Sequence, residues 1–405
     1  MNNREAVFVI ESLRSGIPTR RATRLIPDIR ESVSSRILED LIHFADGTIM
    51  PGRLIWGQYG QGKTHALTTI EHLALDHNFA VSRISLSREV SCHNLMNFFS
   101  QIAPRIKTPN STLEGIQQYI NQLQLADINQ STLFNSDRYA NAQPLQVLED
   151  YYFAEGEDKE KLFGDLMGVR MPVSELGRIH RSLKGMAFPR FKFKVAEHAF
   201  AYFGLLADLI QLCGFEGWVI LIDEVELIGR LGKISRYKAY MNLNWLLNWQ
   251  ATMTYPIYTV AAAATRLQDD LWYGKKNDDR TTIPELAQER DGDEAAWTMT
   301  RFFNRAIDEH ALKILPAQEK DLILLLDTVT QLHGEAYQWA ACLDSASLIR
   351  DLGAQPVRTY IRGALEFLDT AYLYGQAQTP QTEQLQETGL TESDDEEAGE
   401  SDDDN

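Results

Sequence analysis

Apolar residues recur at helical spacing over Ala6, Val7, Ile10 and Leu13, and again over Ile37, Leu38, Leu41 and Ile42. Residues 1–50 therefore read as an N-terminal helical segment, interrupted at Ser15-Gly16-Ile17-Pro18. Past Pro51-Gly52 the pattern changes: Leu54-Ile55-Trp56 is a short continuous apolar run, a glycine-rich stretch follows, and Ala66, Leu67, Ile70 and Leu73 return to helical spacing. That order predicts strand, loop, helix. Residues 79–86 are rich in β-formers and read as the next strand. Residues 92–125 return to helix, with Leu95, Phe98, Phe99 and Ile102 periodic. Two longer apolar runs, 217–222 and 256–264, have no polar alternation and predict strands buried on both faces, as in a parallel sheet.

Between these strands, residues 126–195 mix Asn-rich turns, an acidic patch (Glu155, Glu157, Asp158) and a basic aromatic run from Arg181 to Lys194. This stretch predicts a mostly helical insertion. Residues 268–294 are polar and predict a loop anchored at Trp272-Tyr273. From Ala295 to about Tyr374, helical faces at Leu322, Leu325, Leu326 and Val329, and at Ile361, Leu365 and Leu368, predict a separate all-helical lid. The expected organisation is thus a helical segment over 1–50, an α/β core over 51–294 carrying the 126–195 insertion, a lid over 295–375, and a tail over 376–405. The tail is polar, then acidic, without apolar period, and is expected to be disordered.

Composition changes this picture little. A chain of 405 residues with 44% hydrophobic and 10% aromatic content is a folded protein of more than one lobe. Its net charge of −18 is partly the tail: eleven acids and no Lys or Arg follow residue 382, leaving −18 + 11 = −7 for the body. Cys92, Cys213 and Cys342 have no metal-ligand or disulfide spacing, no run approaches membrane length, and a cytoplasmic protein is expected.

The chemistry concentrates in Gly57-Gln58-Tyr59-Gly60-Gln61-Gly62-Lys63-Thr64-His65. Glycines let successive backbone N–H groups and the following helix N-terminus converge on phosphate oxygens. Lys63 would reach the β- and γ-phosphates of ATP, and Thr64 would help hold Mg²⁺. Asp223 and Glu224 end a buried strand, where ligands of parallel sheets bind. There Asp223 would hold Mg²⁺ and Glu224 would orient water. Thr265, at the tip of the 256–264 run, is a candidate sensor of the γ-phosphate or a polar strand end. Arg358 and Arg362 open the last helix and could reach back to phosphate. Two basic clusters have paired readings. Arg20, Arg21 and Arg24 suit a solvated helix face or a phosphate contact. The run Arg190 to Lys194 suits nucleic acid or a half-buried element with outward Lys stems.

The phosphate loop, acidic strand, polar strand tip and lid arginine together resemble an AAA+ ATPase of the initiator and clamp-loader kind. Finer texture, in residues 10–18, GQYGQGKTH, LIDEVELI, Lys313-Ile314-Leu315-Pro316 and residues 332–337, resembles the BREX-type ATP-binding proteins of phage-defence loci. The resemblance covers most of residues 4–375. It implies an α/β P-loop fold, ATP with Mg²⁺, Thr265 as first sensor and Arg358 as second. It also implies partners among other defence proteins or copies of the chain, with double-stranded DNA a further expectation. A motor-like ATPase would take a neighbour's arginine from among Arg280, Arg290, Arg301 and Arg305. The alternative is an ATP-sensing regulatory or scaffold subunit with slow or no hydrolysis.

Overall fold

The computed structural model describes residues 3–375 apart from 16–18, 88, 110, 112, 125, 127, 129–137, 192–194 and 275–277. The expectations of a disordered tail, of the break at Gly16-Ile17-Pro18 and of a basic surface at Lys192 and Lys194 lie outside the described residues, as do the side chains of Arg20 and Arg21.

Three helices, α1 (Asn3–Ser15), α2 (Arg20–Leu25) and α3 (Glu31–Ala45), lead to β1 (Arg53–Gly57) and α4 (Lys63–Asp76). After β2 (Ala80–Ser85) and α5 (Leu95–Ile102), the chain makes one turn of helix, α6 (Gln117–Ile120). The insertion holds α7 (Gln143–Phe153), α8 (Gly156–Leu166) and α9 (Val173–Lys184). Then α10 (Val195–Leu212) precedes β3 (Trp218–Asp223), and α11 (Lys233–Leu246) precedes β4 (Ile257–Ala264).

All five strands are parallel, in the order β2-β3-β4-β1-β5. β1, β3 and β4 are buried at every position, which is why their sequences run apolar without alternation. One face is covered by α3 and α4: Ile37, Leu41, Leu67 and Ile70 pack on Val81, Val219, Leu221 and Val260. The other face carries a larger aromatic core around Phe98, Phe99, Phe203, Trp218 and Trp249. This is an α/β P-loop NTPase-like fold.

Two expectations give way here. Residues 268–294 are not a loop: they contain α12 (Asp279–Asp291). Only Asp279, Ile283 and Ala287 of α12 are buried, a stripe too narrow and too polar to announce a helix. Asp279 is fully buried, accepting from Arg236 Nε and Nη2 at 3.0 Å each and from Tyr240 at 2.9 Å. Nor is the chain helical throughout from 295. α13 (Asp293–Ile307) packs Phe302 and Phe303 on Trp272 and Tyr240 in the sheet's own core, and β5 (Ala311–Lys313) joins β1 as the outer strand. A three-residue strand has no readable period.

Of the region expected as a lid, the part that is helical without interruption by a strand runs through α14 (Glu319–Tyr337), α15 (Ser345–Leu352) and α16 (Val357–Tyr374), and "lid" below means these three helices. It does not stand apart from the N-terminus. Ala6, Val9, Ile10 and Leu13 of α1 share one apolar cluster with Leu325, Val329, Leu332 and Leu368. α1 is thus packed into the lid, while α3 lies on the sheet.

Candidate functional site

β1 ends at Gly57 and α4 begins at Lys63, so residues 58–62 must turn the chain over the carboxyl edge of the sheet. Gly60 and Gly62 do this at φ of +73° and +94°, a region that side-chain-bearing residues enter only at a cost. A Cβ at Gly60 would also lie 3.0 Å from Pro356 Cβ in the lid, and one at Gly57 would lie 3.3 Å from Lys63 Cγ. Gln61 braces the turn: Gln58 N–H donates to its Oε1 at 3.0 Å, and its Nε2 donates to Gln58 Oε1 at 3.1 Å. Lys63 is buried, with Nζ donating to the carbonyls of Gly57 (3.1 Å) and Gln58 (3.3 Å).

Because the strands are parallel, the end of β3 reaches the same edge. Asp223 is buried, accepts from Glu224 N–H at 3.0 Å, and lies 3.5 Å from Arg83 Nη2 on β2. Glu224 follows in the left-handed region, φ +58°. Burial, then the charges of Asp223 and Glu226, push its carboxyl above the usual range, against the opposing pull of Lys63 and Arg230. Glu226 Oε2 accepts from Ala264 N–H at 2.9 Å, clamping the tip of β4. Thr265, just beyond, donates its N–H to Gly57 O at 3.3 Å. It adjoins the loop without lining the cleft.

The cleft itself measures about 220 Å³. Residues 59–65, with Asp223, Glu224 and Glu226, form its polar side. Leu13, Ile26, Pro27, Ile29, Leu325, Val357 and Ile361 form an apolar side drawn from the N-terminal helices and the lid. Arg358 spans the two: Nη1 donates to Tyr59 Oη at 3.0 Å, the guanidinium sits 5.4 Å from the Tyr59 ring centre, and its N–H meets Gly60 O at 3.4 Å. Arg362 is exposed and is not part of the lining.

Sequence reasoning missed two arginines. Arg30 is buried and donates to Gln61 O from both Nε (3.3 Å) and Nη2 (2.9 Å), so the loop is pinned from outside. Burial lowers its pKa, and Asp28 and Asp321 oppose that. Nothing in its short polar turn marks it. Arg83 donates to Thr68 Oγ1 at 2.7 Å and Thr64 O at 3.2 Å, joining the start of α4 to Asp223. A cation inside an apolar strand pattern was a usable signal. His65, in the lining, has a pKa lowered by burial, which keeps it neutral among Arg30 and His72.

The four candidate arginines for a neighbouring site all lie outside the cleft lining. Arg280 rests on Tyr273 and donates to Asn304 at 3.1 Å, Arg301 covers Trp297, Arg305 pairs with Glu309 at 3.2 Å, and Arg290 is exposed. Of the basic cluster near the N-terminus, Arg24 contacts Asp76 of α4 at 3.4 Å.

The groups present fit a nucleotide and its metal. A glycine turn with left-handed residues at the head of α4 suits phosphate oxygens, and the Thr64 hydroxyl with the Asp223 carboxylate is an all-oxygen donor set of the kind Mg²⁺ takes. No described helix is long and apolar enough to cross a membrane. Among curated proteins the chain finds no match. A family model described as BREX system ATP-binding protein BrxC/D matches residues 1–151 and 191–358, taking in the phosphate loop, Asp223, Glu224 and Arg358. The interval it omits holds α8 and α9. With most of its length matched, the chain belongs to the family of BREX system ATP-binding proteins BrxC/D.

Proposed function

We propose that the chain, whose family membership supports ATP binding in a phage-defence system, goes further and hydrolyses ATP, as an AAA+-type ATPase whose turnover drives remodelling of a defence-system partner or handling of DNA. The observation that carries this is the convergence of Lys63, Asp223 and Glu224 on one cleft that Arg358 enters from the lid.

In this reading the backbone N–H groups of residues 60–64 and the head of α4 bind the β- and γ-phosphates. Lys63 gives up its two carbonyl contacts for phosphate oxygen. Thr64 and Asp223 hold Mg²⁺, which when bound neutralises charge on the phosphates. Arg83 keeps Asp223 and the first turn of α4 in register. Glu224 orients the attacking water, and its raised proton affinity suits it to accept the water proton. Arg358 adds positive charge from the lid, and Thr265 couples the tip of β4 to the loop. The apolar side of the cleft takes the base. A second copy would supply one of Arg280, Arg290, Arg301 or Arg305 to complete the site in trans.

Steady-state ATPase activity of wild type and Glu224→Gln, each with and without double-stranded DNA, tests this. The expected result is turnover lost in Glu224→Gln while ATP still binds, with DNA stimulating the wild type. A second reading, an ATP-sensing scaffold, draws support from the Arg358–Tyr59 clasp, which already links loop to lid. It predicts tight ATP binding with negligible turnover in both proteins and no response to DNA.

A further inference from the structure

The helical insertion presents a groove of about 630 Å³ between α9 and residues 187–190, in the interval the family match omits. Arg178, Arg181 and Arg190 line it, with Val173, Phe188 and Pro189 as apolar lining. Arg178 is held by Asp158 at 2.7 Å. Arg181 and Arg190 are exposed and have no ion-pair partner among the described residues. Residues 169–194 contain seven basic residues and one acid, Glu175, which Lys161 already holds at 3.1 Å. On a chain of net charge −18, this is a local excess of positive charge: Arg178 pairs with Asp158 and Lys184 with Glu149 (2.7 Å) and Asp150 (3.4 Å), which leaves Arg181 and Arg190 to offer their charge to the groove.

A segment of complementary chemistry is on the same chain. The eleven acids after residue 382 have no Lys or Arg among them, and Leu385 and Leu390 lead into the densest run, Asp394 to Glu397. Like the groove, the tail falls outside the family match, which ends at residue 358.

We propose that the acidic C-terminal segment of this chain docks in the α9 groove, its carboxylates on Arg181 and Arg190 and its leucines on Phe188 and Pro189. The reach suffices. Leu390 is fifteen residues past Gly375, about 50 Å of extended chain, and the last acids reach about 95 Å. A folded body of this length has a radius of gyration of about 21 Å and is roughly 55 Å across. Tethering holds the segment at an effective concentration near the millimolar range, enough for a modest electrostatic contact to persist and to compete with other polyanions. Such contacts weaken as salt rises, because the Debye length falls from about 10 Å at 0.1 M to about 3 Å at 1 M.

Zero-length carbodiimide coupling of the full chain, read by mass spectrometry, tests this directly. The reagent joins carboxylates to lysine amines, and the tail has no lysine of its own. The expected result is tail carboxylates coupled preferentially to Lys184, three residues past Arg181 on α9. That signal should fall several-fold in Arg181→Glu/Arg190→Glu and at about 1 M salt. Coupling spread evenly over the lysines of the body, or unchanged by the double substitution, overturns the proposal. A second measurement uses labelled double-stranded DNA and a full-length variant whose tail acids are replaced by their amides. DNA binding that rises several-fold in this variant and is lost on adding Arg181→Glu/Arg190→Glu supports a groove the tail competes for. DNA binding that needs Arg181 and Arg190 yet ignores the tail charge makes the groove a nucleic-acid surface and overturns it.

Discussion

At the scale of single residues, the glycine-rich loop is held through its carbonyls by two buried cations, in addition to the Gln58–Gln61 brace within it. Lys63 holds Gly57 O and Gln58 O, and Arg30 holds Gln61 O with two donors. Arg30→Ala removes a buried, charge-assisted contact worth about 1.5–3 kcal/mol. If half of that is expressed in loop geometry, ATP affinity falls by about 4- to 12-fold. Calorimetric titration of ATP with Mg²⁺ into wild type and Arg30→Ala measures it; equal affinities would show that the glycines alone set the loop. The contrast with Lys63 explains what could be read beforehand. Lys63, Thr64, Asp223 and Glu224 sit in local patterns of residue type and spacing, so the sequence alone singles them out as candidates, and the structure brings all four to one cleft. Arg30 works through a backbone carbonyl thirty-one positions away, and no local pattern encodes that.

At the scale of elements, the lid and α1 act as one body joined by a polar network at the rim of their apolar contact. Arg14 donates from Nε to Asp369 Oδ2 at 3.0 Å and from Nη1 to Tyr337 Oη at 3.0 Å. Asp369 also meets His333 Nε2 at 2.9 Å, while Trp339 Nε1 donates to His333 Nδ1 at 2.9 Å. The indole N–H requires an acceptor at Nδ1, so the proton of a neutral His333 lies on Nε2 and is donated to Asp369. Arg14→Ala should loosen α1 from α14 and α16, at a cost of about 1–2 kcal/mol, because the pair is only partly buried and much of its attraction is screened. Since Ser12 and Leu13 line the cleft, ATP affinity should fall together with the melting temperature. Thermal melts with and without ATP would show both; a lower melting temperature with an unchanged ATP-induced rise would uncouple α1 from the site. Periodicity located α1, α14 and α16 and the apolar face of each. It could not say that α1 faces the lid across more than 300 residues. Nor could it find β5, three residues long, or α12, whose buried anchor is a charged Asp279 paired with Arg236.

At the scale of the whole molecule, the cleft is assembled from three parts of the chain that otherwise pack separately: the N-terminal helices, the carboxyl edge of the sheet, and the lid. A ligand that bridges all three stabilises the native state against any opening that parts them, in proportion to its occupancy. At one hundred times its dissociation constant, the gain is about 2.7 kcal/mol. For a protein this long, that is a rise in melting temperature of roughly 3–6 °C, since each kcal/mol moves a large domain only a degree or two. ATP with Mg²⁺ should produce this rise in the wild type and in Glu224→Gln, because Glu224 is assigned to turnover and not to binding. Lys63→Ala should abolish it. Arg358→Ala should reduce it while leaving the sheet's own packing intact, because Arg358 joins loop to lid through Tyr59. Scanning fluorimetry of the four proteins separates the two functional readings as well. A rise that decays with time in the wild type but persists in Glu224→Gln identifies a chain that consumes its ligand. A rise that persists in both identifies one that only holds it, with the lid and α1 left to report the bound state to a partner.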